Sequence, residues 1–260
     1  MKFQEKIKDS AENKNSNIVL ALDLPPQEPT LLLKKALRII ETVQHYICAV
    51  KINRHLTLPL GLFDGVKKII EATYSYGLPM IMDCKINDIG ATNQVIAQYY
   101  FKAGFDAITA NPFIGWEQGL KPVFETAKNY EKGVILLVYM SHKAACEGYG
   151  QILKDENGKL TPQYVIFAKK ALKWKADGAV VGATYPEKIR EIYQILNEKT
   201  PIYSPGVGAQ GGKLQEAIKA GASFIIVGRT ITLSKNPAET AKKLRDLARE
   251  AKNRVNTTAL

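Results

Sequence analysis

Apolar runs of strand length recur along the chain, and between them apolar residues fall at helical spacing. The runs are NIVLALD from Asn17, YICAVKI from Tyr46, PMIMDCK from Pro79, FDAITAN from Phe105, GVILLVYM from Gly133, GAVVGA from Gly178, PIYSPG from Pro201 and SFIIVG from Ser223. They lack clean polar alternation, as strands do when both faces of a sheet are covered. Their spacing of roughly 20–45 residues leaves room for the helical crossover that parallel neighbours require. Eight βα units in 260 residues predict one domain of the α/β class, a single closed (β/α)₈ TIM barrel whose helices run to about Lys252. A polar N-terminal extension, about residues 1–16, precedes the first strand.

The longest gap follows the fifth strand. There HKAACEGYGQILKDENGKLT, from His142, carries glycine, charge and an Asn157-Gly158 turn signal before a helix that begins near Pro162. It predicts a loop with a small hairpin, and its 142–160 portion is either a surface insertion or a lid.

A composition of 46% hydrophobic and 23% charged residues excludes disorder and a collagen-like repeat, and this length allows one large core without staples. Cys48, Cys84 and Cys146 form no paired spacing, and His45, His55 and His142 fall in no metal-ligand pattern. A reducing cytoplasm and no metal are therefore expected. No stretch approaches the roughly 18 apolar residues of a membrane span, and the N-terminus has no apolar core of a signal peptide, which predicts a soluble, unexported chain.

The formal net charge of +11 favours an anionic partner: nucleic acid, an acidic membrane or a phosphorylated small molecule. Its lysines are spread over helical positions such as Lys34-Lys35 and Lys242-Lys243, with no basic block interleaved with stacking aromatics.

Catalytic groups of a TIM barrel sit at the C-terminal ends of its strands. In this chain those ends are polar: Asp23 on the first, Lys51 and Asn53 on the second, Asp83, Lys85 and Asp88 on the third, Asn111 on the fourth and Ser141 on the fifth. Asp83 and Lys85 are two apart, so an extended strand points both to one side, while Cys84 between them faces the helices. Buried charges must pair, and Lys51 on the neighbouring strand allows an alternating Lys-Asp-Lys-Asp array that includes Asp88. The alternative is an ion-pair network that only closes the barrel top.

After the seventh strand, SPGVGAQGG (Ser204 to Gly212, with Pro205, Gly206 and Gln210) offers glycines that free backbone N–H groups for an anion, and the eighth ends in Gly228-Arg229. The loops after strands seven and eight are where this fold commonly holds phosphate, with arginine as a bidentate clamp. Position thus predicts a phosphorylated substrate. Gly206, Gly208 and Gly211 also spell G-x-G-x-x-G, but no acidic residue follows the next strand to hold a ribose diol, which argues against a dinucleotide site.

With these residues in hand, the chain resembles the orotidine 5′-monophosphate decarboxylases from Asp23 to Arg229. The resemblance rests on ALD at Ala21 to Asp23, VK at Val50-Lys51, the D-x-K-x-x-D set Asp83, Lys85 and Asp88 followed by Thr92, then SPGVGAQGG and VGR. It implies a cofactor-free decarboxylation of orotidine 5′-monophosphate to uridine 5′-monophosphate, with Lys51, Asp83, Lys85 and Asp88 as the catalytic set. It also implies a homodimer in which Asp88 and Thr92 reach the partner's site. By the same resemblance Asp23 and Lys51 bind ribose, with Asn53 beside them, Ser141 touches the pyrimidine, and Gln210, Gly228 and Arg229 hold phosphate. The D-x-K-x-x-D-x-G string also resembles a magnesium-dependent sister group, the ketogulonate-phosphate decarboxylases and hexulose-phosphate synthases. That group typically has glutamate in place of Lys51, as a metal would want. A non-enzymatic alternative is a basic barrel that binds RNA, against which Asp83 and Asp88 speak, so no nucleic-acid or membrane partner is expected.

Overall fold

The computed structural model describes residues 1–154 and 157–258. Among the described residues ten strands are present in chain order: β1 (Ile18–Ala21), β2 (Ala49–Asn53), β3 (Met80–Ile86), β4 (Ala107–Ala110), β5 (Gly133–Tyr139), β6 (Ile152–Lys154), β7 (Leu160–Pro162), β8 (Gly178–Val181), β9 (Ile202–Pro205) and β10 (Phe224–Val227). Eight of them close a barrel in the order β1-β10-β9-β8-β5-β4-β3-β2. Every neighbouring pair in it is parallel. All eight apolar runs read from the sequence lie in these barrel strands, separated by helices such as Pro29–Val43, Gly90–Ala103 and Gln163–Lys173.

Both faces of each strand are covered, which explains the missing alternation. Ile18, Leu20, Val50, Ile52 and Met82 pack outward among helix residues such as Ile40 and Ile69. Val19, Ala49, Ile81, Ile135, Leu137 and Tyr203 fill the barrel interior. Cys84 belongs to the outer layer, as its place in the strand predicts.

The polar N-terminal extension is a structural element. Phe3–Asn13 is a helix, and Phe3 and Ile7, one turn apart, join the interior cluster at the barrel's N-terminal end. A Cβ at Gly133 would stand 2.4 Å from the Phe3 ring, so only glycine admits this packing. Lys6 Nζ lies 2.8 Å from Asp106 Oδ1, and Ser10 Oγ donates to the Cys48 carbonyl at 2.7 Å. The low apolar content of the segment hides this face, because two large residues and one serine carry it.

The expected hairpin forms between β6 and β7, antiparallel, with Ile152 opposite Pro162. It is tied to the following helix by Gln163 N donating to Gln151 O at 2.7 Å. Residues 155 and 156 of the 142–160 segment lie outside the described residues. Among the described residues no helix is long and apolar enough to cross a membrane.

Candidate active site

The C-terminal ends of the barrel strands surround a cavity of about 240 Å³. Charge enters it from three adjacent strands. Lys51, on β2, is buried, and its Nζ lies 2.6 Å from Asp83 Oδ2 on β3. Lys85 Nζ reaches the other oxygen, Oδ1, at 2.7 Å. Burial by itself would push the Asp83 carboxyl up, but the two ammonium groups outweigh it and hold that carboxyl well below the usual carboxylate range. For Lys51, burial pulls the ammonium down, yet Asp83 and then Asp23 more than compensate and its pKa is raised. Asp23 sits beyond Lys51, and its Oδ1 accepts from Asn53 Nδ2 at 3.2 Å. Asn53 Oδ1 in turn accepts the His55 N–H at 2.9 Å and caps the helix Arg54–Leu60.

Asp83 and Lys85 do share one side, although simple extension is not the reason. Lys85 has φ +50, in the left-handed region, and the β3–β4 register shifts between Met82 and Ile86. The irregularity re-aims the lysine so that its ammonium folds back on the carboxylate two residues earlier. A buried neighbour not singled out from sequence, Thr109 on β4, donates its hydroxyl to Asp83 Oδ1 at 2.9 Å and accepts the Lys85 N–H at 2.9 Å. A polar residue in the apolar run FDAITAN was the available signal.

The four-member Lys-Asp-Lys-Asp array closes with only three members in one chain. Asp88 is exposed and lies outside the cavity lining, because Asn93 accepts its backbone N–H at 3.0 Å and its own carboxylate turns to the Ile89 N–H at 2.7 Å. Thr92, in the first turn of the helix Gly90–Ala103, is also exposed and outside the lining. Asn111 is likewise outside it and caps the short turn Pro112–Ile114 by accepting from Phe113 N at 3.1 Å.

Ser141, Pro205, Gly206, Gln210, Gly228 and Arg229 all line the cavity. Ser141 packs tightly: a Cβ at Gly182 would lie 2.6 Å from its Cα, and one at Gly206 2.8 Å from its Cβ. The Ser141 carbonyl accepts the Thr184 hydroxyl at 2.9 Å. Three N–H groups of the glycine loop are taken up within it. Gly208 N donates to Gly212 O at 3.0 Å, Gly211 N to Gly208 O at 2.8 Å, and Gly212 N to Gly206 O at 3.0 Å. Those N–H groups serve the turn itself, with Gly206, Gly208 and Gly211 all at positive φ. Arg229 and Gln210 add side-chain donors at this end of the cavity. Sequence reasoning also missed the apolar floor of Ile135, Leu137 and Val180, because such residues read simply as core.

A family model described as Orotidine 5'-phosphate decarboxylase / HUMPS family matches residues 16–244. Among similar proteins, the orotidine 5'-phosphate decarboxylase of Thermococcus kodakarensis is 38% identical over 229 residues, 88% of this chain and 95% of the relative. That of Methanosarcina mazei is 36% identical over 228 residues, 88% of this chain and 93% of the relative. Among solved structures, the orotidine 5'-monophosphate decarboxylase of Methanocaldococcus jannaschii complexed with the inhibitor BMP superposes with a TM-score of 0.76. The two are 34% identical, over 90% of this chain and 98% of that one.

Proposed function

The chain belongs to the orotidine 5'-phosphate decarboxylase / HUMPS family, and on that premise we propose that its barrel-top site converts orotidine 5′-monophosphate to uridine 5′-monophosphate and CO₂. The observation that carries this reading is the Lys51-Asp83-Lys85 chain, a carboxylate held ionised between two ammonium groups at the wall of one cavity. Arg229 and Gln210 take the phosphate, with the backbone at Gly228 beside them. Asp23, Lys51 and Asn53 take the ribose, Ser141 the pyrimidine edge, and Pro205 with Gly206 closes the side of the ring. The C6 carboxylate then faces Asp83.

The C6–carboxylate bond breaks, its electron pair stays on C6, CO₂ leaves, and Lys85 transfers a proton from Nζ to C6. Two like charges about 4 Å apart at an effective dielectric near 20 repel by about 4 kcal/mol, whereas enzymes lower barriers by roughly 8–23 kcal/mol. Repulsion from Asp83 is thus the smaller part. The larger comes from the preorganised Lys85 ammonium beside the developing carbanion. Lys51 also separates this reading from the magnesium-dependent branch, since an ammonium 2.6 Å from Asp83 sets positive charge where a divalent ion would seek carboxylate oxygen.

Asp88 and Thr92 complete a second copy's site in this reading. They lie on an exposed edge with Ile89, Val95 and Tyr99, and Tyr99 is edge-on to the exposed Phe63 at 6.2 Å. An apolar patch of this kind, rimmed by polar residues, fits burial in a homodimer. Three free cysteines suit the cytoplasm. The test is to follow orotidylate absorbance with pure protein in excess EDTA. Loss of the signal supports the proposal, whereas strict dependence on added magnesium transfers the chain to the sister chemistry.

A further inference from the structure

The Thr109 hydroxyl stands between two parts of the reactive strand. Its oxygen is 2.9 Å from Asp83 Oδ1 and 2.9 Å from the Lys85 backbone nitrogen, and the residue is only 2% exposed. A hydroxyl has one hydrogen and two lone pairs. The Lys85 N–H can only donate, so it takes a lone pair, and the one hydrogen is committed to the carboxylate. That assignment leaves no freedom of rotation, because the ionised Asp83 cannot donate in return.

The linkage matters because Lys85 adopts φ +50, a conformation unfavourable for an L-residue that persists only where its surroundings hold it. The backbone amide at that position makes its hydrogen bond to Thr109, a side chain, inside a stretch where the β3–β4 register is broken. One group therefore fixes both the kink that aims the lysine and the carboxylate at which the lysine is aimed.

We propose that Thr109 is a positioning residue for the decarboxylation, a hydroxyl clamp that sets the separation of the Asp83 carboxylate and the Lys85 ammonium. The proposal rests on the reading of that pair as the reacting groups. When Lys85 gives its proton to C6, Asp83 loses one of its two cations for that moment, and the Thr109 hydrogen bond remains on the same oxygen. Asp83 then stays seated until the lysine takes a proton back from water. Space filling alone does not require a hydroxyl here, since valine has the same shape and suits a strand better.

The test compares Thr109→Val, which keeps shape and removes the hydroxyl, with Thr109→Ser, which keeps the hydroxyl and removes a methyl group. Thr109→Val is expected to lower kcat roughly 10- to 100-fold while uridine 5′-monophosphate binding, measured by calorimetry, changes less than about threefold. Thr109→Ser is expected to recover most of kcat. A mere packing role gives the opposite order, with valine at wild-type kcat and serine the weaker enzyme, and that result overturns the proposal. Should the valine variant not fold, Thr109→Ala against Thr109→Ser asks the same question of the hydroxyl. Lys85→Ala is run in parallel: if it retains turnover, the reading of the reacting pair falls, whereas a dead Lys85→Ala beside a fully active Thr109→Val refutes the clamp alone.

Discussion

Asp177 shows how one side chain at the far end of the barrel from the cavity couples its environment to stability. It precedes β8, its carboxylate accepts the Val134 N–H at 2.9 Å, and burial, only partly offset by that hydrogen bond, pushes its pKa up to about 6. The folded chain thus holds this proton more tightly than the unfolded chain, so Asp177 favours folding at low pH and the advantage is lost as pH rises from about 4 to about 6. Asp177→Asn keeps an acceptor for Val134 and removes the charge. Urea denaturation is expected to show the variant equal to wild type at pH 4 and more stable, by on the order of 2–3 kcal/mol, at pH 7.5; a variant weaker at both values refutes the assignment. Asp83 shifts the other way because it has what Asp177 lacks, two ammonium groups in contact. Both aspartates are legible as letters, but nothing beside them in the chain distinguishes their environments.

At the scale of elements, the strands were legible and the first helix was not. Continuous apolar runs mark parallel strands because helices and barrel interior demand apolar residues on both faces, and that demand is written locally. The helix Phe3–Asn13 buries its few apolar residues against strands far along the chain, so its amphipathic character is too sparse to recognise without them. Phe3→Ala is expected to cost roughly 3–5 kcal/mol in urea denaturation, as large-to-small core changes do, with kcat at saturating substrate unchanged because the site lies at the opposite end. A loss below 0.5 kcal/mol would show that the helix merely rests on the barrel. The glycine loop marks a similar limit. Its composition announced a turn near phosphate-binding position, yet which N–H groups remain free depends on how the turn closes on itself, and those of Gly208, Gly211 and Gly212 are internal.

For the whole molecule, the exposed Asp88 and Thr92 and the apolar edge beside them lead to a direct expectation. On the proposed homodimer, Lys85→Ala and Asp88→Ala proteins, each inactive alone, should regain up to about a quarter of wild-type activity on mixing, because half of randomly paired dimers would carry one intact site of two. No recovery, with heterodimers demonstrated by native mass spectrometry, would place Asp88 in its own chain's chemistry. The sequence by itself determined the barrel, the ends of strands that carry chemistry, and the charged residue types gathered there, because hydrophobic burial and strand direction are set by local pattern. Tertiary structure alone decided which of those charges meet: Lys51 and Thr109 reach Asp83 across strands, the left-handed turn at Lys85 aims its ammonium, and the loop after β3 turns Asp88 outward. The physical reason is that pairing energies between charges depend on separations of a few ångströms between distant segments, and no spacing along one strand encodes them.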